Sequence, residues 1–253
     1  MLVVEYDGTR YRGFQLQDKV PTIQGELEIA LKRLTGEDIR AQGASRTDTG
    51  VHAKGQVVSF QTRSALPPQS FVSGLNHYLP EDIAVTTTQR VSDDFDVRHA
   101  ATRQYGYFIS NARVRSPLQR RFTHLVTQHL DIEAMDVTCQ DLLGEHDFRS
   151  FATSLGSDFH NTVRRVYQAK VSRKGSTVSL NITANSFLPH QVRNTAGALI
   201  KVGLNKLDRK EFQERMMAKI PGLLGPTAPP QGLFLLRVNY TEPCMELGDE
   251  RLQ

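Results

Sequence analysis

Short apolar strands and amphipathic helices alternate along this chain in a repeated order, and that order limits the fold more than any other feature. Leu2–Tyr6 reads as a buried strand stopped by the turn signal "DGT". In "PTIQGELEIALKRLTG", Ile23, Leu27, Ala30, Leu31 and Leu34 recur at helical spacing, with Thr22 placed to cap the start and Gly36 to stop the end. Residues 39–43 and "GQVVSF" read as strands, "PPQSFVSGLNHYLP" as a helix, and "DIAVTTTQRV" as a strand. The first half is therefore β-α-β-β-α-β, the order of a split βαβ, ferredoxin-like unit.

The second half repeats this order with additions. "QYGYFIS" and "RFTHLVTQ" read as strands and "DIEAMDVTCQDLLG" as a helix. "TVRRVYQAKVS" and "STVSLNITA" form a hairpin around Lys174 and Gly175. The helices "PHQVRNTAGALIKVG" and "DRKEFQERMMAKI" and the strand "GLFLLRVNY" complete it. No sequence repeat accompanies the repeated order. The expected fold class is α+β: two ferredoxin-like (RRM-like) βαββαβ halves, 1–101 and 102–253, with mostly antiparallel sheets flanking a central cleft. The tail after Tyr240 has little apolar pattern and is expected to be loose.

Charge points towards a partner class. The formal charge of +4 over 253 residues permits a polyanion without demanding one. Its distribution is more telling. Residues 97–130 hold no Asp or Glu but include Arg98, Arg103, Arg113, Arg115, Arg120 and Arg121. Residues 159–207 are also acid-free and carry eight Lys and Arg, among them Arg164, Arg165 and Arg193. Such segregation is the footprint of a phosphate-backbone binder. The alternative is a solvated basic surface with no partner, and aromatics interleaved with arginines, as in "RQYGYF", weigh against it.

Other classes recede. Cys139 and Cys244 give neither metal spacing nor a disulfide framework, and Cys139 on a helix reads as core. No apolar run reaches a membrane span and "MLVVEYDG" lacks the layout of a signal peptide, so a cytoplasmic location is the default. There is no P-loop, G-x-G-x-x-G, C-x-x-C, H-E-x-x-H or G-x-S-x-G, so neither a cofactor nor a metal is implied. The sequons at Asn181 and Asn239 fall in strands and are discounted.

One carboxylate stands out. Asp48, in "ASRTDTGVHA", is the single acid of residues 39–80 and has Arg40, Arg46, Lys54 and Arg63 around it in sequence. Its ordinary role would be an Asx-type turn. A carboxylate among cations stays ionised, however, and a fixed ionised Asp suits a nucleophile or electrostatic stabiliser at a sugar carbon better than a general acid. Tyr105 shares a strand face with Tyr107. It reads equally well as core or as a ring that stacks on an unpaired base. Arg193, in "SFLPHQVRNTAG", is either a surface Arg or one aimed into the cleft towards Asp48. His52 and His190 could be ligands or bases, but a lone His is more often structural.

These residues are also a signature. "ASRTDTGVHA" resembles the G-R-T-D-x-G-V-H-A motif of the tRNA pseudouridine synthase A family. "VVEYDGTRYRGFQLQ", "GLNHYLPEDIAV", "HDFRSF", "ANSFLPHQVRN" and "TAPPQGLFLLRVNY" resemble its other blocks in the family's order, so the resemblance spans 2–240. It implies Asp48 as catalytic nucleophile, Arg46 as a group helping to extrude the target nucleotide, Tyr105 stacking under the uracil, and Arg193 pairing with the Asp. It further implies isomerisation of uridine to pseudouridine at positions 38, 39 and 40 of the tRNA anticodon stem-loop, without a cofactor, by a homodimer that shares its cleft between subunits. Ser45 departs from the pattern by standing where the family usually has Gly.

Three functions compete at this point. They are a tRNA pseudouridine synthase, acting at those positions or elsewhere in RNA; a non-catalytic RNA-binding module using Tyr105 and Tyr107; and a carboxylate-based hydrolase such as a nucleosidase. The last usually needs a second acid or a metal, and none lies near Asp48 in sequence.

Overall fold

A computed structural model of the chain describes residues 1–153 and 161–241. Cys244 and the tail expected to be loose lie outside them beyond Thr241. Ten strands among the described residues form one mostly antiparallel sheet. They are β1 Leu2–Tyr6, β2 Gln42–Gly43, β3 His52–Ser59, β4 Ile83–Thr88, β5 Thr102–Asn111, β6 His124–Val126, β7 Gly144–Asp147, β8 Val163–Lys174, β9 Thr177–Ala184 and β10 Leu233–Asn239. The helices are α1 Ile23–Thr35, α2 Pro68–Tyr78, α3 Ile132–Cys139, α4 Gln191–Gly203 and α5 Arg209–Met217. The α+β class expected from the sequence is what is found.

The strand order is β4-β1-β3-β10-β5-β9-β8-β7, with β2 on β3 and β6 on β5. The first half contributes β4-β1-β3-β2 and the second β10-β5-β9-β8 as runs of neighbours. The two runs meet where β10 pairs with β3 in parallel, Phe234 beside His52 and Leu235 beside Ala53. Alternation decides the buried face. In β9, Val178, Leu180, Ile182 and Ala184 are buried while the residues between them are half-exposed. The helices cover that face, α2 against β4 and α1, α3 against β8 and α4, and α4 against β5. Leu27 and Leu31 of α1 and Leu199 of α4 are wholly buried in one continuous core, each such side chain contributing about 1.5–3 kcal/mol.

Helix ends follow the sequence signals. The Thr22 hydroxyl accepts from Gly25 N at 3.2 Å, and Gly36 closes α1 at φ 76. Cys139 ends α3 in the core, where burial pushes its thiol up to about 12. Three elements differ from expectation. The strand at 39–43 shrinks to two residues because α1 takes the backbone of Ala41: Glu28 Oε1 accepts its N–H at 3.0 Å and the Gln24 amide donates to its carbonyl at 3.0 Å. β7, "GEHD", has no apolar pattern and exists because its backbone pairs with β8. The helix expected from Pro189 starts at Gln191, since His190 turns into the left-handed region.

His52, at the start of β3, is fully buried and stacked on Phe234 at 4.6 Å. Gly8 N–H reaches its Nδ1 at 3.1 Å and its Nε2 meets Arg121 O at 2.8 Å. Asp7 Oδ1 lies 3.2 Å from the same Nδ1, so Gly8 and Asp7 compete for it. Burial lowers the imidazole pKa, with Asp7 only partly opposing. The neutral tautomer with Nε2–H therefore holds, and Gly8 is the partner served. The unfolded chain takes up this proton near pH 6.5 and the folded chain only at lower pH. Stability from His52 is thus complete above about pH 6.5 and declines as the pH falls below it. Half-buried His124, whose pKa is also lowered by its partial burial, adds to the same slope. Urea unfolding at pH 7.5 and 5.5 is expected to show a smaller loss of stability in His52→Gln than in the parent; equal losses would contradict a buried neutral imidazole.

Candidate active site

The loop between β2 and β3 is fixed on every side. Ala44 N donates to Val57 O at 2.8 Å. The buried Gln56 amide grips Ser45 at both backbone groups, accepting from its N at 3.2 Å and donating to its O at 2.7 Å. Phe14 N donates to Thr47 O at 3.0 Å, and the Thr47 and Tyr6 hydroxyls bond at 2.8 Å. Ser45 is not in the left-handed region, so its place in the signature does not require glycine. Gly50, at φ 75, is third in a turn closed by Val51 N to Asp48 O at 3.1 Å, the position where a type II turn needs glycine. Asp48 gives that turn its backbone carbonyl, and its carboxylate is directed elsewhere.

That carboxylate meets α4. Arg193 Nη1 donates to Asp48 Oδ2 at 3.1 Å across 145 residues of sequence. The guanidinium is aimed by the strap before β10: Arg193 Nε donates to Ala228 O at 2.8 Å, and Ala228 N donates back to Arg193 O at 3.1 Å. With 15% of its side chain exposed against 36% for Asp48, Arg193 is the inner member of the pair. His190 brings Nε2 to 3.4 Å from the same Oδ2, while its Nδ1 bonds Thr153 Oγ1 at 2.9 Å. Of the two roles open to Arg193 in the sequence, the structure takes the one directed at Asp48.

Asp48, Arg46, Arg193 and His190 line one open cleft of about 530 Å³, together with Arg12, Gln15, Gln17, Thr47, Thr49 and Pro230. Arg12 and the two glutamines escaped the sequence reading. Arg10 and Arg12 sit in the same "TRYRGF" segment, yet Arg10 pairs with Asp82 at 2.6 Å and Arg12 lines the cleft; no local pattern separates them. Among the described residues no three His, Cys, Asp or Glu side chains gather as metal ligands.

Tyr105 sits behind this cleft rather than on its lining, 8% exposed, with its ring edge-on to Phe187 at 5.2 Å. Burial pushes its phenol up to about 12; a hydrogen bond from Ser45 and the charge of Arg103 only partly oppose this, and Asp48 adds to it. The phenol is therefore protonated at neutral pH and cannot serve as a base. Tyr107 is fully buried and donates to Pro229 O at 2.9 Å. It is a brace for the strap, not the exposed platform an RNA-binding module would need.

The strap also explains Gly197 in α4. A Cβ there would lie 2.0 Å from Pro226 O. Gly→Ala in a helix normally stabilises by about 1 kcal/mol. Gly197→Ala is expected to destabilise instead, by about 1–3 kcal/mol, as 226–228 is pushed away and Arg193 loses its aim. A melting temperature equal to or above that of the parent would refute the close approach.

Comparison with known proteins agrees with this arrangement. A family model described as tRNA pseudouridine synthase matches residues 2–99 and 138–241. The protein named tRNA pseudouridine synthase A from Thermoanaerobacter sp. (strain X514) is 40% identical over 241 residues, 95% of this chain and 98% of the relative. That of Moorella thermoacetica is 42% identical over 242 residues, 94% and 98% of the two chains. That of Myxococcus xanthus is 43% identical over 244 residues, 95% and 91%. With a carboxylate loop from one half, an arginine helix from the other, and similarity running through both, the chain belongs to the tRNA pseudouridine synthase family.

Proposed function

We propose that this protein is an isomerase that converts uridine to pseudouridine in tRNA, at positions 38, 39 and 40 of the anticodon stem-loop, with Asp48 as the nucleophile. The observation that carries the assignment is the Asp48–Arg193 pair at the wall of a cationic cleft. The carboxylate is held by its partners yet more than a third exposed. A base inside a stacked stem cannot reach it, so the target nucleotide leaves the stack at a cost of a few kcal/mol. Arg46 and Arg12, both exposed on the cleft, bind the phosphates around the extruded nucleotide, and Arg46 helps to hold it out. Tyr105 stacks under the uracil, as the resemblance implies, once the lining in front of its 8%-exposed ring parts to admit the base. Its ring is already fixed edge-on by Phe187, so it is ordered before the base arrives.

Asp48 promotes cleavage of the bond between uracil N1 and ribose C1′. The detached uracil turns in the pocket and rejoins C1′ through C5; the hydrogen on C5 leaves as a proton, and N1, freed from the ribose, takes one up. Substrate and product are isomers, so the balance closes with no oxidant, reductant or second substrate. The protein works in the cytoplasm, the default for its cysteine usage, and as a homodimer, as its resemblance to the family implies; no described helix is long and apolar enough to cross a membrane. The halves 1–101 and 102–253 are read as two ferredoxin-like units, supported by their matching strand orders, with the site between them.

Loss of tritium from C5-labelled uridine in tRNA tests the chemistry directly, because RNA binding alone cannot release it. The wild type is expected to release tritium. Asp48→Asn is expected to bind tRNA with unchanged salt dependence and to release none. Binding without release by the wild type, over a varied tRNA pool, would refute the synthase. Release persisting in Asp48→Asn would remove Asp48 as the nucleophile.

A further inference from the structure

Both groups that hold the Asp48 carboxylate reach the same oxygen. Arg193 Nη1 at 3.1 Å and His190 Nε2 at 3.4 Å both approach Oδ2. Among the described residues no hydrogen bond or ion pair engages Oδ1. We infer that His190 is a positioning residue: together with Arg193 it fixes Oδ2, so that Oδ1 is the oxygen Asp48 presents to its substrate. This rests on the synthase assignment.

The hydrogen-bond chain behind the ring supports the direction of the contact. Asn194 Nδ2 donates to Thr153 Oγ1 at 3.3 Å. The threonine hydroxyl keeps its single hydrogen when it accepts there, and because a carboxylate can only accept, a neutral imidazole that donates from Nε2 to Asp48 takes that hydrogen at Nδ1, 2.9 Å away. An Nδ1 that accepts leaves the proton of a neutral imidazole on Nε2, facing Asp48. The 3.4 Å contact is long, as such contacts often are before substrate binds and tightens them. The groups around the ring agree with this role. Asp48 faces it from the β2–β3 loop and Arg193 from the following turn of α4, while Arg12 and Arg46 line the same cleft.

The backbone gives an independent reason. His190 lies at φ 61, ψ 1, just before α4 begins. This left-handed conformation costs an L residue about 1–2 kcal/mol, and glycine would relieve it. A chain that needed only the bend would do better with glycine. The imidazole is kept in a strained position from which it reaches Asp48, and strain of this kind gathers at functional sites. Held at one oxygen by two groups, the carboxylate cannot turn about its last torsion, and the reacting oxygen keeps its place.

His190→Gly separates this role from a structural one, because glycine satisfies the backbone. It is expected to melt at or above the wild-type temperature, and to lose about 10- to 100-fold in kcat for tritium release. KM for tRNA should stay within about twofold, and added imidazole should restore part of kcat. An unchanged kcat, or a loss confined to KM, would overturn the proposal. The contact has a second readout that needs no turnover: the imidazole nitrogen resonances of His190 should shift in Asp48→Asn. Unshifted resonances would overturn the proposal even if no tRNA were converted. Absence of tritium release by the wild type would sink the synthase assignment itself, a failure visible before any variant is compared.

Discussion

Two parallel residue pairs, Phe234 beside His52 and Leu235 beside Ala53, join the halves of the sheet, and the site depends on where they fall. Strands that run the same way bring their starting ends together. The start of β3 carries the Asp48 loop, and the start of β10 carries the strap at 226–232. Pro230 therefore lines the cleft with the carboxylate, and α4, tied to the strap where Arg193 meets Ala228, comes with it. An antiparallel join would have sent the strap to the far end of β3. Asp48 and Arg193, 145 residues apart, meet because the chain returns to the centre of the sheet with its last strand.

The same end of the sheet shows how the chain uses its arginines. The basic run at 97–130 is not a uniform surface. Arg103 is half-buried and gives its guanidinium to carbonyls of Arg98, Ala100 and Asn185, and to Ala44 at the base of the Asp48 loop. Arg98 pairs with Asp96 at 3.0 Å. Arg113, Arg115 and Arg120 remain exposed. The acid-free stretch thus serves two ends: one arginine ties the carboxylate loop to β5, and others face outward. A count of charges cannot separate these uses, because they depend on where each arginine falls, Arg103 on β5 and the others before or after it, and on what its side chain meets.

This marks how far the sequence could be read. Elements with strong periodicity, such as α1 with its Thr22 and Gly36 ends or the β8–β9 hairpin around Gly175, were legible because their residues carry the cause of their own structure. The two-residue β2 was not, because side chains from α1 capture the backbone of Ala41. β7 was not, because only pairing with β8 makes "GEHD" a strand. At the site, Asp48 was visible as a lone acid and Arg193 as a residue with two possible roles. Arg12 and the left-handed turn at His190 were invisible, since both arise from packing between distant segments.

Precision at Asp48 then follows from the way its loop is braced. Gln56 holds Ser45 by both backbone groups, and Phe14 holds the carbonyl of Thr47. Arg103 holds the carbonyl of Ala44, and Ser45 engages the Tyr105 hydroxyl. None of these contacts uses the Asp48 side chain. The loop is rigid through its neighbours, so the carboxylate need not spend hydrogen bonds on its own turn. A carboxylate consumed in an Asx turn would be stable and inert. Here the backbone does that work through Gly50, and the acid meets donors only on the side facing α4. Exposure of 36% for an ionic group so firmly framed is a compromise: enough burial to fix its direction, enough opening to leave the carboxylate accessible from the cleft. Filling the cleft would remove the remaining water and strengthen the pull of Arg193 on Oδ2, so the pairing that orients the acid in the free protein would become firmer with the cleft occupied.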